Sequence, residues 1–283
     1  AEGLQSMVKF DFGIRTVMHE TSGQTEIAHK ASLYRSALEY SFTSHFNATR
    51  SLLVLDNTAL ISADALWYFA QLEPLLHQDP SLWCVSAWND NGLAPYVADV
   101  TALLRTDSHP GTAWMLTRNL FLQELLPTWP KEQLYDFLNL NSVRRERQCV
   151  IPEVSRVRVF RPLGSWKEQV SYDEHVLPML HSEDRHRVFL GDLQRVHQRD
   201  YEQLLLYNWP NGEGLANSSE VLHLKTLPQL RNGTWRLVVQ SGTGSAWSAV
   251  ARYLRLWPHV QPNIRGSYKN CVRLRWQGAV LFI

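Results

Sequence analysis

The sequence predicts an α/β fold with a smaller α/β unit at its C-terminal end. Stretches with apolar residues at helical spacing alternate with short, wholly apolar runs, the pattern of helices layered on a largely parallel sheet. The 283 residues give room for one large or two moderate cores. The boundaries read from the chain are 1–161 for the first unit, 162–185 for a connecting segment with Pro162, Gly164 and mixed charges, and 186–283 for the second.

Residues 27–46 place Ala31, Tyr34, Leu38 and Phe42 on one helical face, and Asn47 is a stop. The run Leu52 to Leu55 is a buried strand that ends in Asp56-Asn57-Thr58. Ser62 is placed to cap the next helix, which runs to the Asp79-Pro80 pair. A second buried strand, "SLWCVSAW", leads into the turn Asn89-Asp90-Asn91-Gly92. Ligands of open α/β sheets sit beyond the carboxyl ends of the strands, so residues 56–58 and 88–92 are expected on one edge. Further on, "GTAWMLTRNLFLQELLPTWPKEQLYDFL" reads as two short helices broken by Pro127 and Pro130. The second unit reads as strand "WRLVV", loop "QSGTGS", helix "AWSAVARYLRLW" and two strands, "NCVRLRW" and "AVLFI". There is no internal repeat.

Apolar residues make up 45% of the chain and charged residues 19%, which excludes a disordered chain. The 28 basic and 27 acidic residues leave a net charge of +1, so no nucleic-acid partner is implied. No apolar run is long enough to span a membrane. Sequons at Asn47, Asn217 and Asn232 point to the secretory pathway. The three cysteines lack metal-ligand spacing, and one disulfide plus a free thiol is the simplest arrangement. Loop Ser241 to Ser245 lacks the Lys of a phosphate-binding loop and reads as a turn with a helix cap. His181 and His186, five apart in a charged stretch, read as solvent-exposed.

The stretches "KASLYRSAL", "LLHQDPSLWCVSAWNDNG", "LLRTDSHPG", "LLPTWPK", "CVIPEVSR" and "IRGSYKNCVRLRWQG" resemble, in the same order, motifs of the β-1,2-N-acetylglucosaminyltransferase I family, which also includes the enzyme acting on protein-linked mannose. The resemblance implies a GT-A type fold in a type II membrane protein of the Golgi lumen, a UDP-GlcNAc donor, Mn2+ and a mannose-terminated acceptor glycan. It implies a disulfide between Cys84 and Cys149. An inverting reaction needs a general base for the attacking hydroxyl and a cation for the leaving diphosphate.

Against that pattern this chain differs at the site positions. The acidic triplet Glu-Asp-Asp of the family falls on Asp56-Asn57-Thr58, so the metal-ligand position is Thr58. A shift by one residue places Leu55-Asp56-Asn57 there, also without an acid at the ligand position. Asp56, Asn57 and Asp90 are the expected donor-side residues. The base position falls on Tyr135, with Asp136 one residue along as a displaced base, and the family's following Arg falls on Asn139. The family's donor-covering Val-Ser-His-Gly falls on Ser165-Trp166-Lys167-Glu168. The family's first strand and its uracil-contacting residues are not matched by Ala1 to Gln24, so the fold is expected to lack its first strands.

Two functions follow as expectations. One is a GlcNAc transferase whose activity is reduced or lost. The other is a non-catalytic subunit binding a glycan or a partner, such as an active relative, with Trp88 and Trp129 lining a retained acceptor groove.

Overall fold

The computed structural model describes residues 16–17, 25–160, 166–184, 186–211, 213–214, 233–239, 244–260, 263–276 and 279–283. Helix α1 (Glu26–Tyr40) is capped by Thr25, whose hydroxyl accepts from the Ala28 amide. It ends in a π-helical turn, Ser41–His45, just before Asn47. Strand β1 (Ser51–Leu55) and the short β2 (Ala59–Ile61) are joined by a tight turn in which the Ala59 amide donates to the Asp56 carbonyl.

Helix α2 (Ala65–Gln78) starts after Asp64. Ser62, expected from the sequence to cap it, is therefore not its cap; its hydroxyl donates to the Asp64 carboxylate at 2.6 Å. Strand β3 (Leu82–Ser86) follows, then β4 (Leu103–Thr106), β5 (Ala113–Thr117), a π-helical turn at Leu120–Leu125, and the short helices α3 (Leu134–Asn139) and α4 (Asn141–Arg144). Strand β6 (Gln148–Pro152) and β7 (Val157–Val159) complete the first half. Residues 113–117, expected as helix, are a strand. They are apolar on both faces, and such a run carries no period with which to tell strand from helix.

Among the described residues, five strands form a sheet in the order β1-β5-β3-β6-β4. Its only parallel pair is β3 with β6, and β1–β5, β5–β3 and β6–β4 are antiparallel. The expectation of a largely parallel sheet is thus corrected. Strands β1, β3 and β6 do point the same way, but β5 is inserted between β1 and β3, and β4 lies outside β6. The expectation about the edge holds: the carboxyl ends of β1, β3 and β6 share one edge, which carries 56–58 and 88–92.

Alternation along the strands builds a core on each face. Trp114 and Leu116 join Trp83, Ala31, Leu38 and Phe42 under α1, whereas Val85 and Met115 join Tyr68, Leu72 and Leu75 under α2. Cys84 and Cys149 are register partners on β3 and β6 and form a disulfide, as the resemblance implied.

Segment 162–185, expected as a connector, contains helix α5 (Trp166–His175) and returns to the first half through isolated bridges Leu93–Met179 and Ser155–His181. Helix α6 (Gln198–Asn211), strands β8 (Glu213–Gly214) and β9 (Thr234–Arg236), helix α7 (Gly244–Tyr253), β10 (Arg273–Trp276) and β11 (Ala279–Phe282) follow. The second sheet has the order β10-β11-β9-β8. Trp247, Val250 and Ala251 of α7 belong to the same apolar cluster as α2. Among the described residues, no helix is long and apolar enough to cross a membrane.

Candidate functional site

Strand β1 carries Asp56 out of the sheet, and the Asp56 amide donates to the carbonyl of Thr112 at 2.9 Å. The turn that delivers that carbonyl is tight: Gly111 has φ +72° and Thr112 has φ +61°. A β-branched residue in the left-handed region is strained, and such strain clusters at functional sites. Gly111 also makes room, since a Cβ there would lie 3.3 Å from Cε1 of Tyr135.

Three donors converge on one oxygen of Asp56. Lys30 Nζ lies 3.0 Å from Oδ2, the Tyr34 hydroxyl 3.2 Å and the Tyr135 hydroxyl 2.9 Å. Lys30 and Tyr34 come from one face of α1, one turn apart, and Tyr135 from the first turn of α3. The ammonium also lies 4.8 Å from the centre of the Tyr135 ring, within cation–π range. Burial alone would raise the Asp56 pKa, but the hydrogen bond and charge of Lys30, followed by the two phenols, bring it below its ordinary value. The phenols move the other way. Burial raises Tyr34 to about 12, and burial followed by the neighbouring Tyr34 and Asp56 raises Tyr135 further still.

Behind Tyr135 stands His109, 6% exposed, whose Nδ1 accepts from the Gly111 amide at 3.2 Å. Burial, with the charge of Arg144, lowers its pKa to about 3, so the ring is neutral at physiological pH. Asn139 links the two segments: its Oδ1 accepts from the His109 amide at 2.7 Å, and its Nδ2 donates to the Tyr135 carbonyl at 2.9 Å.

Of the residues expected from sequence, the structure brings together Asp56 and Tyr135. Asn57 is exposed in the β1–β2 turn and Thr58 half-buried beside it, its carbonyl accepting from the Phe160 amide. Asp136 is exposed, and the side chain that reaches Asp56 is that of its neighbour Tyr135. Asp90 is not at a rim. It is 6% exposed and accepts from Trp88 Nε1 at 3.1 Å, and burial raises its pKa. Its turn is packed against Gly266, where a Cβ would come within 2.4 Å of Asn91 Nδ2.

Trp88 and Trp129 do not line a groove. They are 4% and 9% exposed, and the Trp129 indole donates to the Ala31 carbonyl in the core. His181, expected in solvent, is half-buried with Nδ1 2.8 Å from the Val157 carbonyl, whereas His186 is exposed. Trp166–Glu168 form the first turn of α5, and Ser165 lies outside the described residues. So do Ser241–Thr243, Asn217 and Asn232, while Asn47 is exposed.

The sequence pattern does not single out Lys30 and Tyr34, because helical spacing puts Tyr34 on the apolar face of the helix. A lysine four residues before it, on that same face, was the available signal.

Several charged residues of the quoted stretches serve the scaffold instead. Arg105 is 1% exposed and donates to Asp79 (3.1 Å), the Val196 carbonyl (2.8 Å), Ser81 Oγ (2.7 Å) and Gln148 (2.9 Å). Arg156 pairs with Asp64 at 3.2 Å, both buried. Glu153 accepts from Arg273, Arg275 and the amides of Ala98 and Asp99. Unpaired, each of these buried charges would cost several kcal/mol.

The residues present do not fit a manganese ion at Asp56. A hard dication takes several anionic or carbonyl oxygens. Here one carboxylate oxygen already accepts three hydrogen bonds, one of them from a cation, and Thr58, onto which the resemblance places the metal ligand, is neutral. Among the described residues there is no group of three or more His, Cys, Asp or Glu able to hold a metal.

Comparison with known proteins matches residues 5–235 to the GNT-I family. The match takes in residues 5–24, which the sequence motifs leave unmatched, and so corrects the expectation that the resemblance starts after them. A curated relative, the alpha-1,3-mannosyl-glycoprotein 2-beta-N-acetylglucosaminyltransferase of Arabidopsis thaliana, is 35% identical over 163 residues, covering 57% of this chain and 36% of the relative. The chain thus spans about a third of that relative's length. With the family matched over most of its length, and a mixed α/β structure that is consistent with a glycosyltransferase-like fold, this chain belongs to the GNT-I family.

Proposed function

We propose that this chain is a GlcNAc-transferase-like protein of GT-A type, facing UDP-GlcNAc and a mannose-terminated glycan, in which transfer is reduced or lost. The observation that carries the reading is the partnership of Tyr135 with Asp56. Inversion at the sugar carbon needs a group that accepts the proton of the attacking hydroxyl. A phenol whose pKa is pushed above its ordinary value and which itself donates to a carboxylate is not such a group at neutral pH. Asp56 remains as the acid on the donor side, fixed in orientation by α1 and α3. A bound manganese ion would neutralise the leaving diphosphate, but the residues around Asp56 do not fit one. Residence in the Golgi lumen as a type II membrane protein is part of the proposal. The Cys84–Cys149 disulfide, at home in an oxidising compartment, and the exposed sequon at Asn47 support it.

The test is UDP-GlcNAc transfer to a high-mannose acceptor with the longest form of the protein, with and without manganese, beside an active family member. Turnover is expected at least ~10²-fold below that of the active member, the usual effect of losing a general base. Comparable, metal-dependent turnover would sink the reading. Absence of product from folded protein is the lost-activity outcome, and the alternative of a non-catalytic subunit is then tested by glycan or partner binding.

A further inference from the structure

We propose that Lys30 is the resident cation of the Asp56 edge, occupying with its ammonium the place a divalent ion would take and so excluding that ion. The inference rests on the reading of this edge as the donor side of the site. Two carboxylate-poor features act together there. Thr58 supplies no charge, and Asp56 is neutralised within the chain by Lys30 Nζ at 3.0 Å.

The Lys30 side chain is 41% exposed, but its ammonium is held on the protein side by specific contacts. Its position is fixed from two elements, α1 through its own backbone and α3 through the Tyr135 ring, 4.8 Å away. The same carboxylate oxygen is also claimed by the hydroxyls of Tyr34 and Tyr135. A dication reaching Asp56 must displace the lysine or sit beside a like charge, and both are unfavourable. Restoring an acid at residue 58 therefore does not by itself create a metal site, because the second obstacle remains.

The experiment uses the Mn2+ aquo-ion alone as probe, followed by its EPR signal, with wild type, Thr58→Asp, and Lys30→Met with Thr58→Asp. Circular dichroism establishes that each variant is folded. Wild type and Thr58→Asp are expected to leave the Mn2+ signal free at millimolar protein. The double variant is expected to bind at least tenfold more tightly than Thr58→Asp. Equal binding by the single and double variants overturns the proposal, as does absence of binding in the folded double variant. Wild-type binding that is lost in Asp56→Asn overturns it as well. No donor or acceptor sugar is present, so the result is separate from turnover: efficient transfer without metal would defeat the reduced-activity reading and leave this one standing, and metal binding without transfer would do the reverse.

Discussion

Replacing Tyr135 by Phe deletes one hydroxyl and leaves the ring against Gly111 and His109, so the change isolates its 2.9 Å hydrogen bond to Asp56. Hydrogen bonds to charged groups contribute ~1.5–3 kcal/mol, and two further donors already share this oxygen, which places the bond at the lower end, about 1.5–2 kcal/mol. The Asp56 side chain is only 10% exposed, so water replaces the lost donor poorly. In a chain of this size that loss lowers Tm by roughly 3 °C. The assay is a double-mutant cycle of Tyr135→Phe and Asp56→Ala by urea denaturation, which removes effects on the ring and on the unfolded state common to both. The sign with pH follows from Asp56. Its folded pKa lies below the ordinary 3.8, so its contribution is fully present above that value and is lost as pH falls through the folded one. The coupling is therefore constant from pH 8 to 5 and declines below about pH 4. A coupling under about 0.5 kcal/mol at pH 7, or one unchanged at the lowest pH with a native spectrum, would refute the reasoning.

Breaking the Cys84–Cys149 disulfide, 65 residues apart, by Cys84→Ala with Cys149→Ala is expected to cost about 4 kcal/mol on loop-closure entropy, checked by urea denaturation. Arg105→Met leaves Asp79 buried without its guanidinium and is expected to cost about 3–5 kcal/mol. Adding Asp79→Asn should recover part of that loss, and an unchanged unfolding midpoint for the single variant would count against the pairing. Burial pushes the Cys271 thiol up to about 12, so it is neutral at pH 8, and although the residue is only half-buried, a thiol reagent should label it in the native protein much more slowly than in the unfolded chain. Rapid labelling of native protein would contradict its placement.

What could be read from the sequence divides by the range of the forces involved. Helix α1, strand β1 and the helix ending before Asp79-Pro80 are set by local spacing and stop residues, and they lie where the pattern put them. Strand β5 does not announce itself, because Ala113–Thr117 is buried on both faces and only its neighbours β1 and β3 decide its state. Among site residues, Asp56 could be found from the strand that ends in it, and Tyr135 from its place in an aligned motif. Spacing puts Lys30 on the helix face of Tyr34 but says nothing of what that face meets, since its partner is 26 residues away and on another element. Trp88 and Asp90 were misplaced for the opposite reason. Residues at a strand's carboxyl edge are commonly open to ligand, but segment 264–268 covers this turn, a contact more than 170 residues distant in the chain.

The buried charges bear on how this chain can change over time. Substituting Arg105 or Glu153 alone strands an opposite charge away from water, and a neutral replacement is reached only by altering two or three positions together. Asn57, Thr58 and Asp136 sit in partly or fully exposed positions where a single exchange strands nothing. Sequence likeness among relatives will therefore persist longest where charge is sealed in. Alignments weighted toward those stretches group chains by their sealed scaffold, so the exposed positions beside Asp56 have to be compared by themselves.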